Sequence, residues 1–510
     1  MKIATLLSFV LLSYALFAQN EKDAINFANT ITANDLEEHL TIIASDALEG
    51  RETGTRGQKM AAAYIKSHFI ELGLTGPVKS EYGDGYFQKV PLYTVKPGNI
   101  YIKTAGEQYD NYSKVFYYGS SNTAGEVTAK VVFIGEGTEA EMEGIEIKNK
   151  IVMLKMENAR AAFRGGLADL FEKGAEMVFI QSTETDEDFT NLAQQFKGYA
   201  GNGRLSLDKP GTSATGGVFF VSPSVTEKIL GTDQEKINSA MADAQSGKKN
   251  AYRKLHGGEV TFNIGQNIKT VNSENVLGFL EGTDKKDEIV IVTSHYDHIG
   301  KRGNEINNGA DDDGSGTVSV LEIAEAFIQA KKKGKGPRRS ILFMTVSGEE
   351  KGLLGSAYYA SNPVFPLENT VVDLNIDMVG RTDPEHEDKA DYVYLVGSDK
   401  LSSELHELSE KANATFTQLE LDYTYNDENH PDRIYYRSDH WNFAKNNIPV
   451  IFYFNGIHED YHRPTDTVDK IEFDLLEKRA RLVFYTAWVL ANREDRIVVD
   501  KIKDESLETR

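Results

Sequence analysis

Apolar positions fall into three textures along the chain. From about Asn20 to Gly76 they recur every three or four residues, so Asn34–Ala44 and Gly57–Leu74 read as amphipathic helices flanking the charged, glycine-containing loop DALEGRETGTRG. From Tyr101 to about Phe262 short β runs take over: KVVFIG at 130–135, KIVMLK at 150–155 and MVFIQ at 177–181. One helix there, Ala161–Lys173, ends at Gly174, and the polar stretch DAQSGKKNAYRK closes what reads as a compact insert. From Glu274 onward strand, loop and helix alternate. The strands are NVLGFLEG, EIVIVTSHY, RSILFMTVS, NTVVDLNIDMV, DYVYLVGS and PVIFYF, and the helices include Thr317–Lys332, Ser402–Asn413, Ser438–Asn446 and Phe473–Asn492. Near-continuous apolar strands are buried on both faces. The expected fold is therefore α/β, a mixed, mostly parallel central sheet with helices on both faces, plus the inserted β-rich domain. In such sheets ligands bind outside the carboxyl ends of the strands.

Composition narrows the chemistry. The 510 residues include no cysteine, which excludes disulfide scaffolds, Cys-ligated zinc fingers, iron–sulfur centres and cysteine hydrolases. Any metal must sit on histidine and carboxylate. A formal charge of −22 argues against nucleic acid as a partner. The one dense basic run, KKKGKGPRR at 331–339, reads as a solvated turn at a helix C-terminus, where cations are favoured. Residues 1–18 combine Lys2 with the apolar run IATLLSFVLLSYALF, the pattern of a secretory signal peptide too short to anchor the chain in a bilayer. The expectation is export to the periplasm or medium, with no stable membrane anchor and an open oligomeric state.

The candidate chemistry lies at successive strand ends. EIVIVTSHY ends in His295-Tyr296-Asp297, a spacing that lets Asp297 hold the imidazole of His295. Asn308-Gly-Ala-Asp311-Asp312-Asp313-Gly-Ser-Gly precedes the helix near Thr317. A calcium loop is the rival there, but it would need Asp and Glu where Gly309 and Val320 stand. ILFMTVS leads into Gly348-Glu349-Glu350, where one carboxylate can bind a cation while its neighbour moves a proton. NTVVDLNIDMV carries Asp377, an acid inside an apolar run. PVIFYFNG leads to His458-Glu459-Asp460-Tyr461-His462, a literal H-E-x-x-H, yet Gly456 before it and Pro464 after it leave little room for the helix that a single-zinc motif requires. Together His, Asp, Glu, Asp and His can supply two metal ions that share one carboxylate.

The order of LEGRETGTRG, SHYDHIG, NGADDDGSG, SGEEKGLLGS, NIDMVG and DYHRPTDT resembles the co-catalytic di-zinc exopeptidases, the family of bacterial leucyl aminopeptidases and glutamate carboxypeptidases. KNKIVMLK and FEKGAEMVFIQ resemble a protease-associated domain. The implied organisation is a signal peptide (1–18), the N-terminal part of the peptidase domain (19–100), a protease-associated insert (101–265), the catalytic remainder (266–497) and a polar tail (498–510). The resemblance implies two zinc ions per chain, one on His295 and Asp377 and the other on Glu350 and His462. Asp312 would bridge them, and its peptide bond to Asp313 would be cis. It further implies Glu349 as general base, Asp297 as the residue orienting His295, and Tyr461 as a donor to the oxyanion. The expected substrates are peptides cut at the N-terminus. A carboxypeptidase or dipeptidase of the same fold, and a non-catalytic peptide-binding protein, are the alternatives. A serine hydrolase is disfavoured because no G-x-S-x-G occurs.

Overall fold

The computed structural model describes residues 20–501 apart from 80–84, 120, 157–166, 202, 210–216, 249–250, 253–254, 256 and 428–429. The expected signal peptide, the first part of the Ala161–Lys173 helix and residues 502–510 of the polar tail lie outside the described residues. The described residues divide into two compact units, 20–91 with 272–501, and Leu92–Val271. The divisions fall some residues away from 100/101 and 265/266 because the strands there are long: Phe87–Thr104 and Glu259–Leu280 each supply residues to both units.

The first unit is built on a seven-strand sheet. Its order is Glu420–Asp422, Tyr392–Val396, Val450–Phe454, Thr370–Ile376, Lys285–His295, Arg339–Val346 and the end of Glu259–Leu280. The middle pairs run parallel, and only the Tyr392–Val450 and Arg339–Glu259 strand pairs are antiparallel. Every residue of Arg339–Val346, Thr370–Ile376 and Val450–Phe454 is buried, as a sheet covered on both faces demands. The covering helix Gly316–Lys332 is itself buried on nearly every side from Gly316 to Phe327. Phe327 packs its ring 4.8 Å from Phe484 and 5.7 Å from Trp488 of the long helix Phe473–Asn492. On the N-terminal side, Ala33–Ile43 is capped by Thr32 and buries Leu36, Leu40 and Ile43.

Register places the strand ends together. His295 pairs with Val346, Thr293 with Asn375, and Ile376 with Tyr453, so the loops that follow these strands emerge side by side at the carboxyl edge. The expected helix Ser438–Asn446 shrinks to Trp441–Ala444. Ser438 and Asp439 are engaged elsewhere: the Ser438 hydroxyl donates to Asp377 at 2.7 Å, and Asp439 accepts from Ser356.

The second unit has its own sheet, ordered from the first part of Glu259–Leu280 through Val127–Phe133, Ile151–Lys155, Met177–Gln181 and Val218–Val221 to Val115–Tyr118. Its three inner pairs are parallel. Apolar clusters cover both faces, with Phe116 stacked 4.6 Å from Phe220 in one of them. Among the described residues of the chain, no helix is long and apolar enough to cross a membrane.

Candidate metal centre

The strand Lys285–His295 delivers His295 to the carboxyl edge, and the three following positions fan out around it. His295 Nδ1 lies 3.0 Å from the main-chain carbonyl of Asp297, which leaves Nε2 facing carboxylates: Asp312 Oδ1 at 3.3 Å, Asp377 Oδ1 at 3.5 Å and Glu349 Oε2 at 3.9 Å. The contact expected from the Asp297 carboxylate is thus made by the same residue's carbonyl, and the carboxylate stands 4.0 Å away. That carboxylate works instead on two other groups. It accepts the Thr53 hydroxyl at 2.6 Å and the Glu349 amide at 3.2 Å.

The three adjacent aspartates are all buried and have three different fates. Asp313 accepts main-chain amides from His295, Gly316 and Met378 at 2.8–3.2 Å. Asp311 accepts the Gly380 amide at 2.6 Å and faces His458 Nε2 at 3.2 Å. Asp312 alone turns both oxygens toward imidazoles, Oδ1 to His295 and Oδ2 to His462 at 3.1 Å. Its amide and that of Asp311 donate to Asp466, and its peptide bond to Asp313 is cis, as the resemblance implies. Glu350 completes the second group, with Oε2 3.2 Å from His462 Nε2 and Oε1 2.8 Å from His298 Nδ1.

His458 and His462 do not share a helix face. The segment turns without forming a helix, His462 adopts a positive φ of 58°, Glu459 is exposed, and the two histidines face different aspartates. The literal H-E-x-x-H is therefore not a single-zinc helix. Tyr461 lies stacked on His462, ring centroids 3.8 Å apart, and lines a small pocket with Met378, Ile434, Phe452, Phe454 and Ile457 beside His295, Asp312, Glu349 and Asp377. Arg437 also lines it.

The sequence did not single out Arg51, Thr53, His298 or Asp466. All four lie within motifs quoted for the resemblance, but their roles are tertiary. The Arg51 guanidinium is fully buried and donates to four carbonyls: Tyr296 at 2.8 Å, Ile43 at 2.8 Å, Asn308 at 2.6 Å and Gly309 at 2.9 Å. It ties the His295 loop to the loop before Asp311. Gly50, at φ +68°, has to be glycine here, since a Cβ would stand 2.3 Å from the Asn307 carbonyl.

The electrostatics are those of a cation site. Burial penalises the His295 imidazolium, yet Asp377, Glu349 and Asp312 together hold its pKa well above the ordinary value. Asp312 is held well below the usual carboxylate range: His298, His295 and His462 outweigh its burial. Burial pushes Glu349 well above that range, with repulsion from Glu350 and Asp377 adding to it and His295 opposing it. The donor set also fits metal on a separate ground. Both nitrogens of His298 and Oε1 of Glu350 are buried without a hydrogen-bond partner, which buried polar atoms seldom are. Two groups of converging donors, His295/Glu349/Asp377 and His298/Asp312/Glu350, match the nitrogen and oxygen chemistry of zinc.

Residues 275–487 match the sequence profile of peptidase family M28. This stretch belongs to that family. The M28 region holds every metal-donor candidate but not Arg51 or Thr53, which come from the N-terminal segment. A probable leucine aminopeptidase of Arthroderma otae is 31% identical over 215 residues, covering 41% of this chain and 55% of that protein. Aminopeptidase YwaD of Bacillus subtilis is 28% identical over 232 residues, covering 44% of this chain and 46% of its own length. The chain thus spans about half the length of these curated relatives. Among solved structures, the aminopeptidase from Aneurinibacillus sp. strain AM-1 shares the fold, with a TM-score of 0.53, 20% identity, and coverage of 94% of this chain and 98% of that one.

Proposed function

We propose that the chain is an exported zinc exopeptidase, an aminopeptidase that removes N-terminal residues from peptides with two zinc ions. The observation that carries this reading is Asp312, whose two carboxylate oxygens divide between His295 and His462. In this reading His295 and Asp377 would hold one ion and Glu350 and His462 the other, with Asp312 available to both. When bound, such a pair polarises the scissile carbonyl and acidifies a water. Glu349 takes the proton from the attacking water and returns it to the departing amine. A carboxyl with raised proton affinity suits a group that must hold a proton between two steps. Asp297 positions Glu349 through its amide and His295 through its own carbonyl. Tyr461 donates its hydroxyl to the developing oxyanion.

The apolar lining of the pocket from Met378, Phe452 and Phe454 suits an apolar side chain on the residue that is removed. In the same reading residues 101–265 form a protease-associated domain, and the leading apolar run directs export.

The test follows two matched peptide pools, with free and with acetylated N-termini, by mass spectrometry with and without a chelator. Stepwise shortening of the free pool alone, lost on chelation, is expected. Shortening of both pools from the carboxyl end would make the protein a carboxypeptidase, and no shortening by zinc-loaded protein would favour a peptide-binding role. Glu349→Ala is expected to lower turnover by about 10²–10⁴-fold with two zinc ions per chain retained; undiminished turnover overturns the assignment.

A further inference from the structure

His298 has no role in the catalytic scheme above, yet its ring is wholly enclosed beside the site. Its exposure is zero and neither nitrogen finds a hydrogen-bond partner. Leaving buried polar atoms unsatisfied is costly, so something must complete them. Nδ1 lies 2.8 Å from Oε1 of Glu350, itself without a partner. At that separation two such atoms normally bond each other. No hydrogen bond of acceptable geometry joins them here, which leaves both atoms available to a third partner.

Other donors share that point. Asp312 Oδ2 lies 3.7 Å from His298 Nδ1 and 3.1 Å from His462 Nε2, and Glu350 Oε2 lies 3.2 Å from His462 Nε2. Ligand atoms placed tetrahedrally at about 2.0–2.1 Å from zinc stand about 3.4 Å apart, and the observed separations bracket this spacing. The ring is also held in place. A Cβ on Gly309 would stand 2.6 Å from its Cγ, so the backbone packs directly against it.

We propose that His298 Nδ1 is a ligand of the ion assigned to Glu350 and His462. This ion then has four protein residues around it, whereas the ion on His295, Asp312 and Asp377 has three. The inference rests on the two-ion reading above. A four-residue shell is the arrangement of firmly retained ions, and a three-residue shell is that of ions that keep a position open. The two ions are accordingly inequivalent, and a chelator removes the one on His295 first.

The experiment uses the full chain loaded with Co(II) in place of zinc. Metal per chain is measured by mass spectrometry, and paramagnetically shifted, exchangeable imidazole N–H signals are counted by proton NMR. Two ions and three shifted N–H signals are expected, from His295, His462 and His298. His298→Gln is expected to lose one signal and to weaken the second ion's binding by about 10–100-fold or more. Two ions with only two shifted signals overturn the assignment of His298. Fewer than two ions per chain overturn the two-ion reading itself, and this inference with it. The count on the unaltered protein decides the matter even if the variant does not fold.

Discussion

Arg51 shows how one side chain can hold a site together without touching its chemistry. Four of its five N–H groups are spent on four carbonyls from segments up to 258 residues away, two of them in the loop that ends at Asp311–Asp313. Burial lowers the proton affinity of the guanidinium, and the nearby carboxylates of Asp466, Asp312, Asp313 and Asp297 counter this. Removing the donors leaves buried carbonyls unsatisfied, each at about 1–3 kcal/mol. Arg51→Ala is therefore expected to destabilise the protein by several kcal/mol in urea unfolding and to lower zinc content. Arg51→Lys is expected to restore little of either, because an ammonium lacks the planar fork that reaches four acceptors. Full zinc content and unchanged stability in both variants would show that the clamp is dispensable.

The helix Gly316–Lys332 begins at the site and packs its middle turns into the core. Gly316 donates its amide to Asp313 at 2.8 Å, so the first turn fixes the aspartate loop, while Phe327 sits three turns on, about 16 Å along the axis. Phe327 is fully buried against Phe484 and Trp488. Phe327→Ala is expected to cost about 3–5 kcal/mol of stability, read by denaturant unfolding, while the folded protein keeps its metal stoichiometry. A loss of metal without a loss of stability would contradict this separation. The contrast with Ser438–Asn446 is instructive. That segment has helical periodicity too, but Ser438 and Asp439 spend their side chains on Asp377 and Ser356, and only Trp441–Ala444 stays helical.

Across the molecule the acidic balance, −22 over 510 residues, is concentrated into buried carboxylates at one sheet edge as well as spread over the surface. Buried histidines add an acid sensitivity of their own. Burial pushes His440 down to about 3, against 6.5 for an exposed imidazole, and its ring stacks on Phe452 at 4.7 Å. Above pH 6.5 the group is neutral in both states and contributes nothing. Below it the unfolded chain takes a proton that the folded protein refuses, so stability falls by about 1.4 kcal/mol per pH unit down toward pH 3. His440→Phe keeps a ring against Phe452 and is expected to flatten this acid limb relative to the parent protein. Parallel limbs in urea titrations between pH 7 and pH 4 would refute the assignment.

Patterns local in the chain were readable from it: the strand and helix order of the first unit, the parallel centre of its sheet, and His295, Glu349, Glu350 and Asp377 at or just after strand ends, while the choice of Asp312 among three aspartates and of His462 as a ligand came from the resemblance. Apolar periodicity and strand-end position depend on neighbours a few residues away, so they survive in the linear text. What depends on residues hundreds of positions apart did not. Nothing near Asp297 says that its carboxylate serves Thr53 and Glu349 while its carbonyl serves His295. Nothing in three adjacent aspartates says that two are consumed by main-chain amides and one is left for the imidazoles. His298 stood in a quoted motif, but its significance is that both its nitrogens are buried and unpartnered, a property created only when Glu350 and Asp312 fold in beside it. Burial and hydrogen-bond supply are properties of the packed chain, and they decide which of many eligible polar residues remain free for chemistry.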